Sequence, residues 1–211
     1  MQTTFFIPGE AGQLECLSLP GNAPQKNITA VVCHPHPQHG GTMHNKVVTS
    51  IAHALRDLGI TTVRFNFRGI GASAGTYDEG EGELRDCLTV INWVKATTPQ
   101  TALLLAGFSF GAGIALRAAS LVDPIALITI APAIRAQSDL ATKPIRCPWL
   151  IIQGEEDEII NASQVYLWAA QRPEHPLLIR MPGTSHFFHG KLTLLKQQIT
   201  EALNKYDILD R

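Results

Sequence analysis

Short β-branched and aliphatic runs alternate along this chain with longer stretches whose apolar residues recur at helical spacing. Residues 3–8 and 13–19 predict two strands, joined as a hairpin. Ile28 to Cys33 (ITAVVC) is apolar without a break, the pattern of a strand buried on both faces. Residues 44–58 set Val47, Val48, Ile51, Ala54, Leu55 and Leu58 on one helical face, and Gly59 stops the helix. Ile60 to Phe67 predicts the next strand. Residues 80–96 predict a helix with Leu84, Cys87, Leu88, Ile91 and Val94 along one face. Further strands are expected at 101–108, 124–130, 147–153 and 176–181. Helices are expected from the small-residue run GAGIALRAASL, near 161–171, and from about 189 to 206. Strands alternating with helices mean βαβ units: a mainly parallel sheet with helices on both faces.

The chain has 211 residues, ample for one core and short for two domains, so residues 1–211 read as a single α/β domain. About fifteen residues separate the strand ending near Ala131 from the one starting at Cys147, which leaves no room for a large cap domain. Apolar residues make up 45% and charged residues 17%, as in a compact globule. The formal net charge is -1 with the signs mixed, so no nucleic-acid footprint or membrane-surface patch is expected. The N-terminus MQTTFFIPGE lacks the features of a signal peptide, and no apolar run approaches a membrane span. Cys16, Cys33, Cys87 and Cys147 are scattered, which points to free thiols and a cytoplasmic location.

Gly107-Phe108-Ser109-Phe110-Gly111 is a G-x-S-x-G motif between the strand ALLLAG and a small-residue helix. A serine hydroxyl is a poor nucleophile until it is held in the open beside a base. A sharp strand-to-helix turn does this, and the glycines relieve the crowding it causes. The helix N-terminus then favours developing negative charge. In an open α/β sheet the partners of Ser109 belong just past later strands, in the order Ser, acid, His. Gly154-Glu155-Glu156-Asp157-Glu158 follows one strand, and Met181-Pro182-Gly183-Thr184-Ser185-His186 follows the next. Asp157 is the single aspartate of its loop and its short side chain suits an orienting role; Glu155, Glu156 and Glu158 are expected to face solvent. His186 comes first after the glycine turn. His189 is expected to begin the last helix, and His175 lies at the wrong end of the sheet.

Residues 34–44 read HPHPQHGGTMH. The H-x-H-x-x-H spacing invites a zinc reading, but Gln38 stands where such loops carry aspartate, and mid-chain offers only His53 as a further histidine. The same loop serves a serine mechanism better. An oxyanion hole needs two backbone N–H groups. One is expected from Phe110. Pro35 and Pro37 have none, which leaves His36 as the other donor, with Gln38 behind it. His34 is expected to pack beneath the site. Phe67-Arg68-Gly69-Ile70-Gly71-Ala72-Ser73 reads as a glycine turn near the same rim, and it lacks the features of a dinucleotide loop. Phe108, Phe110, Phe187 and Phe188 could line an acyl pocket, with Phe108 and Phe188 better suited to the core. No metal and no organic cofactor is implied.

With these residues placed, the chain resembles the α/β-hydrolase superfamily over nearly its whole length. The resemblance rests on GFSFG at 107–111, FNFRGIGAS at 65–73, QGEEDEII at 153–160 and GTSHFFHG at 183–190. HPHPQHGGTMHNKVV at 34–48 is similar to a small, capless bacterial branch related to dienelactone hydrolase-like and peptidase-like members. The resemblance implies a doubly wound, mostly parallel sheet of eight strands and the triad Ser109, Asp157, His186. The site residues themselves point to a serine hydrolase acting on a small-molecule ester or thioester, with an amide substrate left open. The chain departs from dienelactone hydrolases proper, whose nucleophile is cysteine, and from lipases with an HGGG oxyanion loop. A non-catalytic binding protein on the same fold, or a metal-dependent hydrolase using the 34–39 histidines, is the alternative.

Overall fold

A computed structural model describes residues 2–134 and 144–205. Eight strands alternate with five helices among them: β1 (Thr3–Gly9), β2 (Gly12–Leu19), β3 (Ile28–Cys33), α1 (Lys46–Asp57), β4 (Thr61–Phe65), α2 (Glu81–Thr97), β5 (Ala102–Phe108), α3 (Phe110–Val122), β6 (Ala126–Ile130), β7 (Trp149–Gly154), α4 (Ala162–Ala170), β8 (Leu177–Met181) and α5 (Leu192–Lys205). They form one sheet of order β1-β2-β4-β3-β5-β6-β7-β8. The β1–β2 and β2–β4 pairs are antiparallel and every later pair is parallel. The stretch 135–143, which bears on the absence of a cap, lies outside the described residues, as does position 206 at the expected end of the last helix.

The unbroken apolar runs are explained by burial on both faces. Val31 and Cys33 of β3 pack with α2, α3 and α4, while Ile28, Ala30 and Val32 pack with α1 and α5. Strand β7 divides the same way: Trp149 and Ile151 on one side, Leu150 and Ile152 on the other. Each fully buried aliphatic side chain contributes about 1.5–3 kcal/mol.

Two of the boundaries that differ from expectation do so for a tertiary reason. Strand β4 stops at Phe65 instead of running to Phe67. Asn66 turns its side chain to other work, its Oδ1 accepting the Met43 N–H at 2.8 Å and its Nδ2 donating to Glu15 at 2.7 Å. The last helix begins at Leu192, not at 189. The intervening residues form tight turns in which Phe188 donates its N–H to the Ser185 carbonyl and accepts from Lys191. All four cysteines are free; Cys16, Cys33 and Cys87 are buried and Cys147 is half-buried.

Candidate active site

Ser109 is a one-residue turn between β5 and α3, with φ 55° and ψ -118°. Such a conformation costs a non-glycine residue on the order of 1–3 kcal/mol. Its neighbours hold it there: the Ser109 N–H donates to the Ile130 carbonyl at 2.8 Å, and its carbonyl accepts from Ala133 at 3.2 Å. The flanking glycines are a steric requirement. A Cβ on Gly107 would lie 2.2 Å from the Gly111 carbonyl oxygen, and one on Gly111 would lie 2.3 Å from that of His34. The first turn of α3 therefore packs directly against the end of β3 and the loop beyond it.

Asp157 follows β7 and His186 follows β8; at the carboxyl ends of the strands His186 meets Ser109 and Asp157 meets His186. His186 Nε2 lies 3.1 Å from Ser109 Oγ, and His186 Nδ1 lies 2.8 Å from Asp157 Oδ2. An ionised carboxylate only accepts, so Nδ1 carries the proton and Nε2 is left to accept from the serine hydroxyl. Asp157 Oδ1 accepts the N–H groups of Ile159 at 2.9 Å and Ile160 at 2.7 Å. Burial pushes the Asp157 carboxyl up, but the His186 bond and the Ile160 and Ile159 N–H groups outweigh it and hold the group below its ordinary value. It stays charged opposite the imidazole.

The loop that delivers His186 is tightly held. Phe108 packs on the His186 ring at 4.9 Å. Phe188 is fully buried with φ 55°, unusual for a bulky residue, and its ring meets Phe108. His189 is exposed and touches Phe187, so it neither begins a helix nor reaches Ser109. Glu155 and Glu156 are exposed, as expected. Glu158 is exposed too, yet its carboxylate accepts the His186 backbone N–H at 3.0 Å. That bond pulls the Glu158 carboxyl below its ordinary value.

In the loop after β3, the buried His34 ring donates from Nδ1 to the Pro35 carbonyl at 2.7 Å and accepts the Phe67 N–H at Nε2, 3.0 Å away. Both nitrogens are spent on backbone, so His34 packs beneath the site and is not a metal ligand. Among the described residues, no group of three His, Cys, Asp or Glu side chains could hold a metal ion. Burial pushes His34 from 6.5 down to about 4. The folded protein thus resists a proton that the unfolded chain accepts. Stability should be undiminished above pH 6.5 and should fall progressively towards pH 4, by about 3 kcal/mol from this group. Thermal melts from pH 7 to 4 should show this fall, and a folded His34→Gln variant should show less of it.

The His36 ring stacks on His39 at 4.4 Å, packs on Phe110 at 5.0 Å and meets the Tyr77 hydroxyl at 3.4 Å. Gln38 spends its N–H on His36 Nδ1 at 3.2 Å, so the donor held in reserve behind His36 is occupied. Arg68, in the glycine turn after β4, is tied to Asp86 at 2.8 Å and to Glu10. This turn anchors α2 and does not line the cavity beside Ser109.

That cavity has a volume of about 110 Å³. Its walls are Pro35, His36, His39, Gly40, Gly41 and Asn45 on one side, Ile159 and Phe187 on the other, and Ser109 and His186 at the base. Of the four phenylalanines weighed as acyl-pocket residues, only Phe187 lines it; Phe108, Phe110 and Phe188 are buried. Nothing in their local pattern marks Ile159 and Asn45, while His39, the last histidine of the 34–39 spacing, lines the cavity.

A mostly parallel eight-stranded sheet with a serine elbow, and acid and base past its last two strands, defines an α/β-hydrolase. The chain belongs to the serine hydrolase family whose model, described as "Serine aminopeptidase, S33", matches residues 30–146. An uncharacterized protein of Rickettsia prowazekii, RP471, is 33% identical, the match covering 95% of this chain and 87% of that one. A solved α/β serine hydrolase homologue from Coxiella burnetii is 43% identical with a TM-score of 0.92, covering 95% of this chain and 97% of its own. XC6422 from Xanthomonas campestris, described as a serine hydrolase without a lid, is 44% identical with a TM-score of 0.92, covering 97% and 94%. This chain is likewise a capless member. No helix of the described residues is long and apolar enough to cross a membrane.

Proposed function

We propose that the protein hydrolyses a small carboxylic ester or thioester through an acyl-enzyme on Ser109. The observation that carries this reading is the unbroken relay from Ser109 Oγ to His186 Nε2 (3.1 Å) and from His186 Nδ1 to Asp157 Oδ2 (2.8 Å). Ser109 attacks the carbonyl carbon while His186 takes its proton, and Asp157 stabilises the resulting imidazolium. The backbone N–H groups of Phe110 and His36 receive the developing oxyanion; the close packing of α3 on the 34–36 loop supports this pairing. Collapse breaks the bond to the leaving alcohol or thiol, which takes the proton from His186. Water then gives a proton to His186, attacks the acyl carbon and expels Ser109, whose oxygen recovers that proton.

The cavity is small beside the ~300–1,000 Å³ of drug-sized ligand sites, which favours a short acyl group. Its described lining offers imidazoles, an amide and apolar side chains. It has no carboxylate to pair with a free α-amine, which favours an ester over an aminopeptidase substrate. No cofactor takes part.

The decisive experiment is intact-mass analysis after incubation with a fluorophosphonate. A single adduct mapping to Ser109 is expected. Folded protein that takes up none would overturn the hydrolase reading and favour a binding protein on the same fold. Ester, thioester and amide panels then separate the substrate classes.

A further inference from the structure

We propose that Gln153 is a positioning residue for the relay, holding the Asp157 carboxylate in place and moderating its pull on His186; this rests on the hydrolase reading above. Gln153 sits in β7, one residue before the strand's end, and is fully buried. Glutamine is seldom buried without a partner to satisfy it. Its Nε2 donates to Asp157 Oδ2 at 2.9 Å and to the Gly154 carbonyl at 3.1 Å. Its Oε1 is buried with no hydrogen-bond partner among the described residues. Turning the amide over would set Oε1 against two acceptors, so the N–H end faces the carboxylate.

An orphaned buried carbonyl destabilises the fold, and an apolar side chain of the same length would remove it. The fold gains from glutamine only the bond to the Gly154 carbonyl; the relay gains the bond to Asp157. Asp157 Oδ2 is the oxygen that also accepts the His186 Nδ1–H, while Oδ1 takes the N–H groups of Ile159 and Ile160. Four donors fill the carboxylate's lone pairs and fix its plane. The Gln153 bond also draws charge away from Oδ2, which weakens the carboxylate's hold on the imidazolium that forms during catalysis. The other charged or titratable groups facing this pair are Glu158, at the His186 backbone N–H, and Tyr166, with Arg180 over its ring and Glu155 nearby. None of them shares a hydrogen bond with Gln153, whose side chain donates to Asp157 and the Gly154 carbonyl.

The test uses Gln153→Met, which keeps the length and removes the donor, and Gln153→Asn, whose shorter amide falls short of Oδ2. The pH profile of kcat/KM is followed with p-nitrophenyl acetate, together with kcat, KM and the fluorophosphonate labelling rate of Ser109. Losing the donor strengthens the carboxylate's hold on imidazolium, so the acid limb should move up in pH by roughly half to one unit. On the acid limb kcat should fall about three- to tenfold with KM little changed. A folded variant of either kind with an unmoved limb and wild-type kcat would overturn the role. A wild-type protein that neither turns over nor labels would overturn the hydrolase reading itself, and this role with it. The two failures are thus distinguishable.

Discussion

Alanine at position 109 should lower kcat on a small ester by about 10⁴–10⁶-fold while leaving the protein folded and KM close to wild type. Among the described residues the hydroxyl is the group bonded to His186 Nε2, and alanine removes it without altering the elbow. Cβ remains, as do the bonds from the backbone of Ser109 to Ile130 and Ala133 that hold the strained turn. The fold loses one hydrogen bond, worth about 1 kcal/mol. Steady-state kinetics with a thermal melt on the same preparation checks both halves. Turnover at wild-type rate would mean that another group does the chemistry.

Asp157→Asn should cost about 10⁴-fold in kcat, with the histidine still in place. Asparagine is nearly isosteric, but every partner of the Asp157 side chain is a donor: the His186 ring, the Gln153 amide, and the N–H groups of Ile159 and Ile160. An asparagine NH₂ must face donors in either orientation. If it faces the imidazole, His186 is driven to carry its proton on Nε2, where it meets Ser109 instead of accepting from it. If it faces the loop, Ile159 and Ile160 lose their acceptor. The imidazole also loses its counter-charge when it is protonated. Kinetics of the variant should show the fall in kcat, and fluorophosphonate labelling of Ser109 should slow in parallel. An unimpaired variant would remove Asp157 from the relay.

The loop glutamates show where sequence reasoning reaches its limit. Asp157 and His186 could be picked out because each follows a β-strand whose end must lie at the carboxyl edge of a parallel sheet. Chain order picks the two loops, and side-chain length and the glycine turn then single out Asp157 and His186 within them. The exposure of Glu158 was equally legible, but its bond to the His186 N–H was not, since it joins two loops 28 residues apart. Phe110 offers the converse case. Beside the nucleophile it reads as a pocket residue, yet its ring turns inward to Phe67 and Tyr77. The direction of a side chain at a helix N-terminus depends on what the neighbouring loops leave open.

The sequence by itself determined the order of the elements, the doubly buried strands and the positions of Ser109, Asp157 and His186, because these follow from local periodicity, steric demand at a turn and the polarity of parallel strands. Only the tertiary structure decided that both His34 ring nitrogens are spent on backbone groups, that the His36 ring stacks on His39, that Gln153 bonds to Asp157, and that Phe188 holds a left-handed turn ahead of α5. Each of those depends on backbone groups and rings brought together from distant parts of the chain, and no local pattern records which of them will meet.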